Sequence, residues 1–273
     1  MTVLFCPGRT TKTHKQFIKD FPGLKDMQIL TLDTGSADLA YESGSTDLIF
    51  CSNEKYHLEV HKLLNISPAH KYIRENWEDK FNHGKDWIAR GKFLAAFNNE
   101  YRPMVFNTWN AVSQYYCILC MSSFYVNYDK WKLQGEYSPV TPEYQNIRNW
   151  YENNKGKTIR YHRSNIYNFP INLLNENGLI YIHLPTHYDS YGCGYVWTKR
   201  KFDALVKNLS ELAEIGHKVC VSFTEEKWGR KVTNYKEYFS TQFFTAHEYS
   251  ELKASRYGFN ETRTKEVYLV ANF

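Results

Sequence analysis

The stretch Leu179–Tyr188, Leu-Ile-Tyr-Ile-His-Leu-Pro-Thr-His-Tyr, constrains this chain more than any other. A β-rich apolar run, Leu179 to Ile182, stops abruptly at a polar turn containing Pro185. In an open α/β sheet, ligands sit just past the carboxyl ends of strands. His183–Tyr188 is therefore expected to form the rim of a site.

The same pattern recurs. Val3–Cys6 runs into Pro7-Gly8-Arg9-Thr10-Thr11-Lys12 and an amphipathic stretch to Phe21. Strand, glycine turn and helix start make a generic anion cradle, but the spacing is not that of a P-loop. Gln28–Leu32 reads as a strand running into the small-residue turn Asp33-Thr34-Gly35-Ser36-Ala37, where backbone can approach a ligand closely. Leu48–Cys51 is another, ending at Ser52-Asn53-Glu54 before a helical pattern through Leu64. Ser52 and Glu54 stand where nucleotide-binding sheets place a residue for ribose hydroxyls; an ordinary helix cap is the plainer alternative. Later strands are expected at Thr158–Tyr161, Leu179–His183 and Val219–Phe223, with a helix from Thr198 to Ile215 closed by Gly216. Phe239–Thr245 and Glu266–Ala271 read as a terminal hairpin. This alternation predicts an open, mainly parallel sheet.

Between about Ser67 and Lys157 the rhythm breaks. Long helical patterns such as Asn107–Tyr125 dominate, and Trp77, Trp87, Trp109, Trp131 and Trp150 all fall there. The expected organisation is a core of residues 1–66 and 158–273 carrying a helical insert, 67–157. Cys117-Ile-Leu-Cys120 lies in an apolar helix-like run without a second ligand pair, which favours core packing over zinc or redox chemistry. The six cysteines form no framework, there is no run of 18 apolar residues, and no secretory leader is seen, so a cytoplasmic, non-membrane protein is expected.

The order of segments, spread over nearly the whole chain, resembles that of the Dam-type (alpha-order) DNA adenine N6-methyltransferases. Lys130-Trp131-Lys132-Leu133-Gln134-Gly135-Glu136-Tyr137-Ser138 is similar to the family's arginine-tyrosine-asparagine-x-x-glycine-x-phenylalanine-asparagine segment. Lys265–Phe273 is similar to its closing strand. Pro7–Thr10 and Asp33–Ala37 stand where it has its glycine-lysine and aromatic-x-glycine motifs. The resemblance implies an α/β fold, a Rossmann-like methyltransferase core with an inserted helical subdomain acting in target recognition. It also implies S-adenosylmethionine as ancestral cofactor, held around Gly8, Thr10, Asp33, Gly35, Ser52 and Glu54, and DNA as partner.

The family's catalytic turn is Asp-Pro-Pro-Tyr, whose carboxylate accepts hydrogen bonds from the adenine amino group and whose tyrosine stacks on the flipped base. The aligned residues here are His183-Leu184-Pro185-Thr186, with Tyr188 within a short slip of the stacking position. The candidate catalytic set is thus His183, Pro185, Thr186 and Tyr188, without the carboxylate. A neutral histidine accepts one hydrogen bond where a carboxylate accepts several. On the cofactor side Arg9 and Thr10 replace glycine and lysine, and Ser52 replaces the ribose carboxylate.

Three readings stay open: a non-catalytic methyltransferase-like protein that binds DNA or a protein partner; a site rebuilt for other base chemistry around His183, His187, Tyr188, Asp189 and Cys193; and an adenine methyltransferase with an unusual turn. The spacing of His183 and His187 invites zinc, but Pro185 removes the helical geometry that makes such spacing useful. For DNA, the net charge is +5, and cations group at Arg9 and Lys12, at Lys199 and Arg200, and at Lys227, Arg230 and Lys231. Aromatic residues make up 17% of the chain, which adds stacking surface that would serve bases or simply fill cores.

Overall fold

The computed structural model describes residues 2–4, 12–32, 38–52, 58, 125–127, 132–134, 156–164, 168–184, 191–192, 195–196, 199–225, 227–228, 231–232, 235–254 and 261–273. Two compact units are present: Met1–Pro7 with Lys55–Lys155, and Gly8–Glu54 with Gly156–Phe273.

In the first unit β1 (Thr2–Leu4), β4 (Tyr125–Asn127) and β5 (Lys132–Gln134) form an antiparallel sheet, with Val3 opposite Val126 and Val126 opposite Leu133. The opening strand was expected to feed directly into the parallel sheet; instead it pairs with β4. A run of so few residues says that a strand exists but carries no information about its partner. The helical pattern Asn107–Tyr125 and the Cys117–Cys120 pair lie outside the described residues.

The second unit is built on seven strands: β2 (Gln28–Leu32), β3 (Asp47–Ser52), β6 (Thr158–Arg163), β7 (Gly178–His183), β10 (Lys218–Glu225), β13 (Thr245–Ala254) and β14 (Glu261–Ala271). Across the sheet they run β6-β3-β2-β7-β10-β14-β13. The pairs β6/β3, β3/β2, β2/β7 and β7/β10 are parallel, whereas β14 is antiparallel to both neighbours. This is the doubly wound Rossmann order, with one reversed strand wedged before the last. The core is α/β and Rossmann-like, of the methyltransferase type.

The central strands β2, β3 and β7 are buried along almost their whole length because both faces are covered. One face carries Leu30, Ile49, Ile180, Ile182, Val219, Val221, Val267 and Leu269, packed with α3 (Lys199–Glu214). That helix contributes Phe202, Leu205, Leu209 and Leu212, one buried stripe at helical spacing. It ends as expected at Gly216, whose φ of +96° is readily adopted only without a side chain. Gly216 N–H donates to Ala213 O and His217 N–H to Leu212 O, the paired bonds of a Schellman cap. Asn272 Nδ2 adds bonds to Ala213 O (2.7 Å) and His217 O (2.8 Å), tying the last residues of the chain to this helix end.

The other face is covered near β14 by α1 (Lys12–Asp20), whose Phe17 stacks on Tyr268 with centroids 4.1 Å apart. Phe21 closes against Phe273, and Tyr249 Oη donates to Asp20 Oδ2 at 2.8 Å. At the entry to β7 a Cβ on Gly178 would sit 2.2 Å from Leu174 Cδ2 and 3.0 Å from Asn175 O, so any side chain there forces Leu174 to move.

The terminal hairpin exists, but its first strand begins at Thr245 rather than at Phe239. A 3₁₀ turn, Tyr235–Tyr238, and a turn at Ser240 accepting from Phe243 and Phe244 precede it. Phe239 and Phe244 point into the core from these turns, so their apolar character reports burial and not strand. Among the described residues no helix is long and apolar enough to cross a membrane.

Candidate site at the sheet switch point

From β2 the sheet grows through β3 to β6 on one side, and from β7 through β10 on the other. β2 and β7 are adjacent, so the topological switch lies between them, and the crevice outside their carboxyl ends is the expected ligand position. Leu32 and His183 are the last residues of these two strands.

The end of β7 is held firmly. Leu184, fully buried, donates its N–H to Ser222 O at 2.7 Å, extending the β7/β10 pairing one residue beyond His183. Ser222 stands opposite His183 in the parallel register, and Tyr181 is two residues earlier on the same face. The result is a chain of three polar groups: Tyr181 Oη to Ser222 Oγ, 2.9 Å, and Ser222 Oγ to His183 Nδ1, 2.8 Å. Ser222 is 1% exposed and Tyr181 5%, while His183 is half-buried.

Burial pushes the His183 imidazole below its ordinary value, and the nearby Glu266 carboxylate only partly opposes this. His183 is therefore neutral at pH 7. Burial, with Tyr181 and Glu266 adding to it, also drives the Tyr268 phenol far up, so this hydroxyl stays protonated. Further along the same edge Lys236, Glu225, Lys265 and Glu248 alternate in sign: Lys236–Glu225 is 3.5 Å, Lys265–Glu225 3.3 Å and Lys265–Glu248 2.5 Å, and Lys236 also contacts Glu248. These pairs tie the Tyr235–Tyr238 turn to the end of β10 and to the interior of β13 and β14.

The other predicted residues fall as follows. Ser52 is at the carboxyl end of β3 and 1% exposed, its carbonyl accepting from Ser164 N–H. Lys199 and Arg200 are exposed in the first turn of α3, with Lys199 paired to Asp203 at 2.8 Å. Lys12 opens α1, its side chain undescribed. Lys227 and Lys231 lie on the two strands of a ribbon, β11 (Lys227–Trp228) and β12 (Lys231–Val232), that starts just past the end of β10. Pro185, Thr186, His187, Tyr188, Asp189, Cys193, Gly8, Arg9, Thr10, Asp33, Gly35, Glu54 and Arg230 lie outside the described residues. Sequence reasoning missed Ser222 and Tyr181. Ser222 was signalled by being the one hydroxyl in the apolar run Val219–Phe223.

Among the described residues, the ends of β2 and β3 offer Leu32 and the buried Ser52 hydroxyl and no carboxylate.

No family model and no curated protein matches the chain. Among solved structures, the rRNA methyltransferase aviRa from Streptomyces viridochromogenes superposes with a TM-score of 0.41 at 12% identity, over 97% of this chain and 88% of that one. The glycopeptide N-methyltransferase MtfA complexed with S-adenosylmethionine gives 0.30 at 10% identity, over 97% and 74%. These superpositions are too loose to add to what the strand order shows.

Proposed function

We propose that this chain is a DNA-binding, Dam-methyltransferase-like protein that does not carry out orthodox adenine methylation. The observation that carries the reading is His183. At the end of β7, where the resemblance calls for an anionic carboxylate, stands a neutral imidazole whose Nδ1 is already engaged by Ser222. One remaining ring nitrogen cannot reproduce the several acceptor positions of a carboxylate. Supporting a polyanion partner are the exposed Arg200 in the first turn of α3 and the lysine-bearing ribbon after β10. Lys199 counts for less, being paired to Asp203. A cytoplasmic setting belongs to the same reading and is supported by the buried thiols of Cys51 and Cys220, neither of which is in a disulfide.

Two measurements test this. Calorimetry with S-adenosylmethionine is expected to show no saturable heat; clear binding would sink the non-catalytic reading. A DNA mobility-shift series at two salt concentrations should show retention that collapses as salt rises. No retention at low salt would remove DNA and leave a protein partner.

A second reading, a base-modifying enzyme centred on His183, is favoured by the order imposed on that ring by two buried hydroxyls. It predicts that His183→Ala abolishes activity on DNA while the fold survives. Full activity in the variant would refute it.

A further inference from the structure

Tyr181, Ser222 and His183 form a chain whose direction follows from acid–base chemistry. A phenol is a stronger proton donor and a poorer acceptor than an aliphatic alcohol, and the ring nitrogen of a neutral imidazole is the best acceptor of the three. Ser222 has a single proton. Its oxygen could accept at both contacts, 2.9 Å to Tyr181 and 2.8 Å to His183, but the proton would then be buried with no acceptor among the described residues, which favours accepting at one and donating at the other. The favoured assignment has Tyr181 donating to Ser222 and Ser222 donating to His183 Nδ1. The ring proton is then on Nε2, which makes no hydrogen bond among the described residues. Burial of the two hydroxyls keeps water from supplying alternative partners.

We propose that Tyr181 and Ser222 are positioning residues that hold His183 as its Nε2–H tautomer, so that the end of β7 offers a hydrogen-bond donor. The atom docking there is then an acceptor, a carbonyl oxygen or an unprotonated ring nitrogen, and not an amino group. This rests on His183 marking the site, as in the proposed function, and it deepens that reading. A turn built around a carboxylate takes an amino group; this one takes the opposite partner. The change is one of substrate polarity and not merely of strength. No proton leaves the chain in this arrangement: each group keeps its own, and the three hydrogen bonds point outward toward the docking atom.

The test is ¹⁵N correlation spectroscopy on the free, full-length protein at pH 7.5, with His183→Gln used to assign the resonance. The expected result is a pyridine-type Nδ1 and a pyrrole-type Nε2. Tyr181→Phe is expected to free an acceptor position on Ser222 Oγ and move His183 toward the Nδ1–H form. Ser222→Ala is expected to change the ring's resonances as well, and Ser222→Thr, which retains the hydroxyl, to restore the wild-type pattern. An Nδ1–H ring in the wild type overturns the proposal. So does an Nε2–H ring that is indifferent to both Tyr181→Phe and Ser222→Ala, since the tautomer would then be the imidazole's own preference. The measurement uses neither methyl donor nor DNA. Its failure is thus distinct from a positive calorimetric result, which would overturn the proposed function and leave the tautomer standing.

Discussion

Replacing Phe17 with alanine should loosen α1 from the sheet. Phe17 is fully buried, lies flat on Tyr268 (4.1 Å, rings 6° apart), and also meets Phe21 at 4.7 Å and Tyr249 edge-on at 6.3 Å. Truncating a buried phenylalanine costs about 3–5 kcal/mol through lost transfer energy and the cavity left behind. Stacking adds about 0.5–1.5 kcal/mol beyond area for an aromatic pair, so Phe17→Leu, which keeps volume and loses the stack, should cost about 1–2 kcal/mol. At roughly 2–4 °C per kcal/mol for a chain near this size, Phe17→Ala lowers Tm by roughly 6–20 °C. Urea denaturation followed by circular dichroism gives the magnitude, and amide exchange gives the place. Protection should fall in α1 and in the β13/β14 edge beneath it, while α3, packed on the opposite face, changes least. A loss under about 1 kcal/mol, with α1 amides as protected as before, would refute the docking of this helix on β14.

The pH dependence of stability should bear the mark of His183. Its folded pKa is below the ordinary 6.5, so the unfolded chain binds more protons below that pH, and stability falls as pH drops through 6.5 toward the folded value; in His183→Gln, urea midpoints across that window should flatten. Glu248 has the opposite group type: bonds from Lys236 and then Lys265 hold its carboxyl below the usual range, so its stabilisation is present above pH 4.5 and is lost as pH falls through the folded value. Because Glu248 is 37% exposed, Glu248→Gln should cost under about 1 kcal/mol and less in high salt, measured by denaturant midpoints at two ionic strengths. Gly178→Ala forces a methyl to within 2.2 Å of Leu174 Cδ2 and 3.0 Å of Asn175 O, and should lower stability by about 1–3 kcal/mol in the same assay; an unchanged midpoint would mean that the entry to β7 relaxes freely.

Local patterns in the chain were enough for the parts of the fold that depend on local physics. Gln28–Leu32 is a strand with the expected bounds, and the runs at Leu48–Cys51, Leu179–His183 and Val219–Phe223 differ from the observed strands by a few terminal residues at most. A continuous apolar run ended by a turn has few other ways to bury itself. The end of α3 at Gly216 was equally legible, because a left-handed residue after a helical stripe is written in one amino acid. The hairpin's first strand was misplaced because Phe239 and Phe244 look the same to a periodicity argument whether they are buried from a strand or from a turn.

Strand order, the reversal of β14 between β10 and β13, and the placing of β1 with β4 come from pairings between distant segments, which no local pattern encodes. The site divides along the same line. That the apolar run Leu179–Ile182 is a strand ending at His183 could be read from the sequence, since the run and the polar residues after it are contiguous. That His183 is neutral and tethered could not. Its partner Ser222 is 39 residues away and reaches it only through the β7/β10 register, and its charge state follows from burial that exists only once the sheet has been covered. The sequence by itself marked the end of this strand as the place to expect a site; the tertiary structure decided which groups meet His183 there, because pairing and burial depend on which segments are brought together out of water.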